Sequence, residues 1–326
     1  MRKLLVTLRT TSLVVAVSAA MVASAAPALG VSASPAGGQG APYARSAAPS
    51  GAQAHLTLPV PAGHYPVGTV SMDLIDRGRA NPWASSPRYR RPMVSIWYPA
   101  MGAQRYPAAP QMLPGAAAHF GSADGAAAQL YGAPPGSVAW AATLTGGHQG
   151  APVAGHRALF PVVLYSPGLG EPRTWGTTLV QDLASRGYVV VTIDHTYEAS
   201  EVEFPGGRVI DSQLAAWAAQ AQQNGTVLAL LKKIVAVRVA DVRSVINNLT
   251  ALDAGRNPSA GHRPLPQGLA GALDLHRIGR EVGPLGGVAN PCCRAEAPEA
   301  IAAGAPDGST HRPSGIPPAV PVHAMR

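Results

Sequence analysis

The residues best suited to chemistry lie in a short glycine loop, Gly168-Leu169-Gly170, which follows an apolar run ending at Tyr165. Glycine permits backbone conformations that other residues avoid, so this loop can leave the Leu169 N–H without an internal partner. A free amide of this kind can stabilise an oxyanion formed from a carbonyl substrate. We therefore predict that Leu169 is an oxyanion-hole donor and that Gly168 and Gly170 contact the substrate. A turn that needs glycine only for steric reasons is the alternative.

The segments on either side of the loop predict a βαβ unit. Residues 160–165 and 188–193 are short apolar runs rich in β-branched side chains, as in strands buried on both faces. Between them, apolar positions recur at helical spacing, with Thr174 as the predicted N-cap and Gly187 just after the last turn. A crossover this short makes the two strands parallel. The sequence thus predicts an α/β fold with the loop at the carboxyl edge, where ligands bind.

Several side chains near the strand ends are further candidates. His195 and Tyr197 follow the second strand and are predicted to line the substrate site. Asp194 and His195 cannot act together as acid and base, because neighbours in a strand point to opposite faces. Ser166 is interpreted as a strand-end hydroxyl, since it lacks the sharp turn of a nucleophile. Trp175 and Tyr197 can either line an acyl pocket or pack in the core.

The loop does not match the G-x-G-x-x-G pattern, because Glu171-Pro172-Arg173 follows it, so no dinucleotide site is expected. Elsewhere, segments 56–76 and 91–100 predict antiparallel edge strands. Residues 100–156 are interpreted as a surface insertion with a weak helix near 126–130.

The C-terminal half supplies a hairpin and a long helix. Residues 198–211 predict a small hairpin, and an apolar stripe over residues 226–252 predicts the longest helix. Its charged positions are expected near solvent: Arg238, Asp241 and Arg243. His276, further along, is interpreted as a partly buried structural histidine.

The first 25 residues predict a secretory signal peptide, because a basic start is followed by an apolar stretch and by Ala23-Ser24-Ala25. A retained membrane anchor is the alternative. Residues 26–54 are predicted to be a flexible leader, since Ala, Gly, Pro and Ser bury little apolar surface. We expect the mature chain to be secreted and soluble, with residues 55–279 forming the N-terminal part of an α/β domain that is incomplete at its C-terminus and residues 280–326 forming an irregular, non-native tail.

Composition argues against several classes of partner and cofactor. The formal net charge is +8, and it falls to +5 once the three basic residues of the predicted leader are removed. The other basic residues are scattered, so no nucleic-acid partner is expected. Cys292 and Cys293 are adjacent and cannot easily join distant segments, which argues against a disulfide framework. The ten histidines form no ligand-spacing pattern, so no metal and no other cofactor are expected. The oligomeric state stays open.

Three segments of the chain resemble the secreted α/β-hydrolases of the platelet-activating-factor acetylhydrolase type and their actinobacterial lipase and polyester-hydrolase relatives. The segments are FPVVLYSPGLGEPRTWGTTLVQDLASRGYVVVTIDHT, RVADVRSVINNLTAL and NPSAGHRPLPQGLAGALDLHRIG. The resemblance implies an α/β-hydrolase fold and acyl-enzyme chemistry on a small-molecule ester, lipid or polyester, without a cofactor. Family members typically have His where this chain has Pro167, and Leu169 keeps the oxyanion role.

The resemblance also implies a serine that this sequence lacks. The family's nucleophile elbow, Gly-His-Ser-x-Gly, would end a strand that follows Gly279, but no strand pattern and no G-x-S-x-G occur there. Without nucleophile, acid and base, the chain as written is predicted to be inactive. It is also predicted to fold poorly, because a central strand would lack its neighbour.

A reading-frame slip would explain the missing elbow. Read one base late, the codons from Val282 to Gly287 allow Leu-Gly-His-Ser-Ala-Gly. The alternatives are a pseudogene product, a secreted protein that binds acyl ligands without hydrolysing them, and an enzyme with an unorthodox nucleophile such as Ser166.

Overall fold

A seven-stranded mixed β-sheet forms the centre of the computed structural model, which describes residues 52–155 and 158–282. The strands are β1 (Val67–Asp73), β2 (Asp76–Ala80), β3 (Tyr89–Arg90), β4 (Met93–Pro99), β5 (Ala108–Pro110), β6 (Leu144–Gln149), β7 (Phe160–Ser166), β8 (Val189–Asp194), β9 (Glu201–Glu203), β10 (Val209–Asp211) and β11 (Leu273–Val282). The α-helices are α1 (Pro114–Phe120), α2 (Ala126–Gln129), α3 (Thr177–Ser185), α4 (Leu214–Gln223) and α5 (Val227–Asp253), and short 3-10 turns cover Ala103–Arg105 and Trp140–Ala142.

The strand order in the main sheet is β11-β7-β8-β4-β1-β6-β5. Strands β11, β7 and β8 run parallel, and β4 joins β8 and β1 by antiparallel pairing. The predicted βαβ unit is therefore confirmed as β7, α3 and β8. Helix α3 starts after Gly176 rather than after the predicted cap Thr174. Gly187 has the left-handed conformation expected just after a helix end, with φ 97°.

The prediction of edge strands and of a surface insertion was wrong in one respect. Strands β1 and β4 pair on both sides, because β6 and β5, from the presumed insertion, extend the sheet beyond β1. The segment LTGGHQ of β6 shows no apolar alternation, which is why the pattern missed it. Its glycines are needed for packing, since a Cβ at Gly147 would lie 2.6 Å from the Trp97 ring.

The expectation that no strand follows Gly279 was also wrong. Strand β11 covers Leu273–Val282 and pairs parallel with β7, with a register shift between Asp274 and Ile278. Strand β7 is thus not the unpaired edge that the sequence predicted. The pairing brings Val282 opposite Ser166, so both strands end at the same edge of the sheet.

Two helices cover opposite faces of the sheet. Helix α5, which confirms the predicted long helix, packs its apolar stripe on Val162, Leu164, Val191 and Ile193. Helix α3 packs against Trp97, Tyr165 and Val190 on the other face. Because side chains alternate along a strand, Ser166 and His195 lie on the α5 side and Asp194 on the α3 side.

The predicted hairpin is confirmed by the antiparallel pair β9 and β10, and the weak helix by α2. Across residues 52–155 and 158–282, no helix has an apolar stretch long enough to cross a bilayer.

Candidate active site

The glycine loop joins β7 to α3 at the carboxyl edge of the parallel strands. Gly170 has φ 89°, a conformation that side chains other than glycine rarely adopt, whereas Gly168 is not among the glycines with positive φ. Among the described residues, neither the Leu169 nor the Gly170 N–H has a hydrogen-bond partner. Two neighbouring free amides can both donate hydrogen bonds to the same negatively charged oxygen.

The loop is fixed on both sides of these amides. The Gly168 N–H donates to Glu171 Oε2 at 2.9 Å, and the Ser200 N–H donates to the Gly170 carbonyl at 3.0 Å. Leu169 is therefore held between two bonded neighbours. Donors that are already in place stabilise charge without a cost of reorganisation.

A buried ion pair anchors the end of the loop to the sheet. The Arg173 N–H donates to Asp194 Oδ1 at 2.6 Å, its guanidinium also pairs with Asp194, and its Nε donates to Ser95 Oγ at 2.9 Å. Burial raises the pKa of Asp194, while the charge and hydrogen bonds of Arg173 oppose this shift. Asp194 thus orients the loop through Arg173.

A chain of hydrogen bonds links Ser166, His195 and Asp241 on the opposite face of the sheet. Ser166 Oγ lies 3.0 Å from His195 Nε2, and His195 Nδ1 lies 2.9 Å from Asp241 Oδ2. Ser166 is half-buried, whereas His195 is 2% exposed and Asp241 is fully buried. His195 and Asp194 point to opposite faces as predicted, but the sequence analysis missed Asp241 as the partner of His195.

The prediction that Arg238 and Asp241 lie near solvent was wrong, while Arg243 is exposed as expected. Both buried charges interrupt the apolar stripe of α5 at core positions. The stripe consists of Ile234, Val237, Val245, Leu249 and Leu252. A charge at helical spacing within such a stripe is the signal that could have identified this network.

Asp241 is held in its charged form by several donors. Arg90 Nη2 donates to Asp241 Oδ2 at 2.7 Å, and Arg79 pairs with Oδ1. Burial alone would raise the pKa of Asp241, but Arg90 and the bond to His195 outweigh burial and lower it. A carboxylate can only accept, so His195 Nδ1 carries the proton and Nε2 accepts the Ser166 hydroxyl.

Burial lowers the pKa of His195 to about 4, and the nearby positive charge of Arg238 adds to this shift. The imidazole is therefore neutral at pH 7. Arg238 Nη2 donates to Ser166 Oγ at 3.2 Å and also to the Pro167 carbonyl. One arginine thus joins the serine to the first residues of the loop.

Glu198 forms a long ion pair with Arg238. Its Oε2 is 3.6 Å from Arg238 Nη1, and neither carboxylate oxygen forms a hydrogen bond within the described residues. Burial raises the pKa of Glu198 to about 8, although Arg238 opposes the shift. Burial raises the pKa of Glu201 to about 8 as well.

These two carboxyls should make the fold less stable as pH rises from about 4.5 to 8, because only the folded state keeps them protonated there. Glu198→Gln, which mimics the protonated form, should raise the free energy of unfolding at pH 8.5 by about 1–3 kcal/mol. Chemical denaturation at pH 5.5 and 8.5 measures this. Glu203→Gln is the control, since Glu203 accepts the Ala116 N–H at 2.8 Å. Equal gains at both pH values for Glu198→Gln would contradict the prediction.

The predicted substrate-lining residues lie in different places. His195 lies beneath the loop, next to Ser166. Tyr197 lines a separate cleft with Arg91 and Phe204. Tyr197 has φ 73°, a strained value for a residue other than glycine.

Trp175 is 37% exposed and stacks on Tyr131 with 4.7 Å between ring centroids, so it does not pack in the core. The prediction for His276 was wrong, because its side chain is exposed on the edge strand β11. Within the described part of the chain, no three His, Cys, Asp or Glu side chains are placed to hold a metal ion.

Comparison with known proteins places these observations in context. A family model for platelet-activating factor acetylhydrolase, isoform II, matches residues 51–262. A probable 1-alkyl-2-acetylglycerophosphocholine esterase of Arthroderma benhamiae is 38% identical over 50 residues, covering 15% of this chain and 13% of that protein. A ferulic acid esterase from Streptomyces cinnamoneus, solved at 2.4 Å, aligns with a TM-score of 0.55 and 32% identity. That alignment covers 74% of this chain and 58% of the esterase, so the chain spans less than two thirds of either relative.

Proposed function

The chain belongs to the platelet-activating factor acetylhydrolase isoform II family and has an α/β-hydrolase fold, and from this premise we propose that it is built for carboxylic ester hydrolysis through an acyl-enzyme. One observation carries the proposal. The adjacent Leu169 and Gly170 amides are free among the described residues and are fixed at the carboxyl edge of the sheet. Backbone donors in this arrangement suit the oxyanion of acyl transfer.

In the proposed reaction a serine attacks the ester carbonyl, and the Leu169 N–H and the amide after the serine hold the oxyanion. The alcohol then leaves, and water releases the acyl group. Gly168 and Gly170 allow the carbonyl to approach the backbone, and His195 and Tyr197 remain proposed substrate-site residues. The chemistry needs no cofactor.

The substrate class that we propose is a small-molecule ester, lipid or polyester. The name of one relative specifies an acetyl ester of a glycerophosphocholine, and the name of the other specifies an ester of ferulic acid. These acyl groups differ in size and polarity. They share the ester carbonyl, which is the group that the loop amides would bind.

The chain as written contains no G-x-S-x-G sequence, so we propose that it has no steady-state turnover by this route. We further propose a reading-frame slip near Val282. The shifted codons would place Gly-His-Ser-Ala-Gly just after the end of β11, next to the strand that leads into the loop. Residues after Val282 lie outside the described residues.

Sequencing the genomic locus from about codon 275 tests this proposal. We expect one inserted or deleted base whose correction yields Gly-His-Ser-x-Gly, followed by an Asp and a His in that order. A confirmed frame without that motif would overturn the slip and leave hydrolysis as the ancestral activity only. Binding of a fatty acid or aryl acid without hydrolysis would then favour the acyl-binding alternative.

We also propose export through the predicted leader, residues 1–25. Secreted protein recovered from culture medium should begin after Ala25 by N-terminal sequencing. Protein that keeps its leader in the membrane fraction would contradict this.

A further inference from the structure

We propose that Ser166, His195 and Asp241 form a second nucleophilic centre, in which an activated ester or a phosphonyl fluoride can modify Ser166 Oγ. The inference rests on the ester chemistry proposed above but does not need the missing elbow serine. The sequence analysis interpreted Ser166 as a strand-end hydroxyl and kept an unorthodox nucleophile as an alternative, and the contacts of Ser166 now favour that alternative.

The atoms are connected as in a serine hydrolase relay. The nucleophile and base are 3.0 Å apart, from Ser166 Oγ to His195 Nε2, and the base and acid are 2.9 Å apart, from His195 Nδ1 to Asp241 Oδ2. Both distances fall within the range expected for such pairs. The burial of the three residues also resembles that of a relay. The serine is half-buried at the edge where ligands bind, whereas its two partners are buried.

The acid of this relay cannot easily turn away from the histidine. Arg90 is fully buried and donates to Asp241 through Nε and Nη2, while its Nη1 donates to the Thr196 carbonyl at 2.7 Å. Thr196 follows His195 directly. The same arginine therefore fixes the carboxylate and the backbone beside the imidazole.

Charge around Ser166 favours attack by its oxygen. Arg238 Nη2 donates to Ser166 Oγ at 3.2 Å and stabilises negative charge that develops there. The free Leu169 and Gly170 amides follow three and four residues later in the chain. They can donate hydrogen bonds to the oxyanion that forms from a bound carbonyl or phosphonyl group.

The buried groups that face His195 are Asp241, Arg90 and Arg238, with Glu198 beyond Arg238. Burial and the two arginines outweigh Asp241, so the imidazole is neutral at pH 7 and weakly basic because its pKa is lowered. A weak base slows proton removal, since general-base catalysis depends on basicity. We therefore expect one acylation event per chain with slow release, rather than rapid turnover.

With p-nitrophenyl acetate as the ester, the expected reaction is acetylation of Ser166. Ser166 Oγ bonds to the carbonyl carbon as His195 Nε2 takes the hydroxyl proton. The tetrahedral intermediate collapses by breaking the bond to the aryl oxygen, and p-nitrophenol leaves with the proton. With a phosphonyl fluoride, the P–O bond replaces the P–F bond, and fluoride and the proton leave.

The test is labelling of the full chain with a fluorophosphonate at pH 7.5, followed by intact mass measurement and peptide mapping. We expect one adduct per chain, on the peptide that contains Ser166. Peptide mapping is performed on the protein without substitutions, so this result does not depend on whether a variant folds. No adduct on a chain with a cooperative thermal transition, or an adduct on another serine, would overturn the inference.

Two variants separate a relay from a merely exposed hydroxyl. Ser166→Ala should lose the adduct, and His195→Gln should slow labelling at least tenfold. Ser95→Ala is the matched control, because Ser95 Oγ also accepts from an arginine, Arg173, but contacts no histidine within residues 52–155 and 158–282. Unchanged labelling in a folded His195→Gln variant would overturn the relay.

Two results distinguish failure of the Ser166 inference from failure of the proposed ester hydrolysis. A frame-restored chain that hydrolyses esters, while the chain as written takes no label at Ser166, would overturn this inference alone. Labelled Ser166 together with an inactive frame-restored chain would overturn the proposed function alone.

Discussion

Asp241→Ala is expected to lower the free energy of unfolding by about 3–5 kcal/mol, because removing one partner of a buried ion pair leaves the other charge uncompensated. Arg90 is fully buried and donates to this carboxylate at 2.7 Å, and Arg79 pairs with its other oxygen. No other carboxylate in the described residues forms an ion pair with Arg90. Urea denaturation followed by circular dichroism measures the loss.

Asp241→Asn separates the effect of the charge of this side chain on the free energy of unfolding from the effect of its shape. The amide keeps an oxygen that can accept from Arg90 but loses the negative charge, so we expect a smaller loss. Asp274→Ala is the surface control, since its ion-pair partner Arg277 is 65% exposed and exposed pairs contribute little. Similar midpoints for Asp241→Ala and Asp274→Ala would show that the buried network does not stabilise the fold.

The sequence predicted those elements whose pattern is local. The βαβ unit, the hairpin and helix α5 each carry a periodic apolar pattern or glycine punctuation over their own length. The Leu169 loop was found for the same reason, because a glycine pair after a buried strand is a local signal.

The sequence did not predict the elements that depend on distant partners. Strand β6 contains two adjacent glycines and becomes a strand by pairing with β1 and β5. Strand β11 carries polar residues through its length and is ordered by β7. Long-range pairing leaves little trace in a single segment, and the two charges in the α5 stripe were assigned to the wrong face for this reason.

Restoring the shifted frame after Val282 should raise kcat on p-nitrophenyl esters by about 10⁴-fold or more over the chain as written, since loss of a triad member costs at least this much. The rise should appear in kcat, because the serine acts in the chemical step. Steady-state assays of both chains at equal concentrations of folded protein measure it. Replacing the restored elbow serine by alanine is the control and should return kcat to the level of the chain as written.

The register of the sheet is the physical reason to expect this gain. Val282 of β11 pairs with Ser166 of β7, and the shifted serine codon lies three residues beyond Val282, just as Leu169 lies three residues beyond Ser166. Both strands end at one edge of the sheet, so we expect the restored serine to follow β11 at the edge where the Leu169 loop follows β7. A frame-restored chain that folds cooperatively but hydrolyses esters no faster would mean that the loop amides do not serve as an oxyanion hole. Labelling of Ser166 in that chain would then identify the remaining reactive serine.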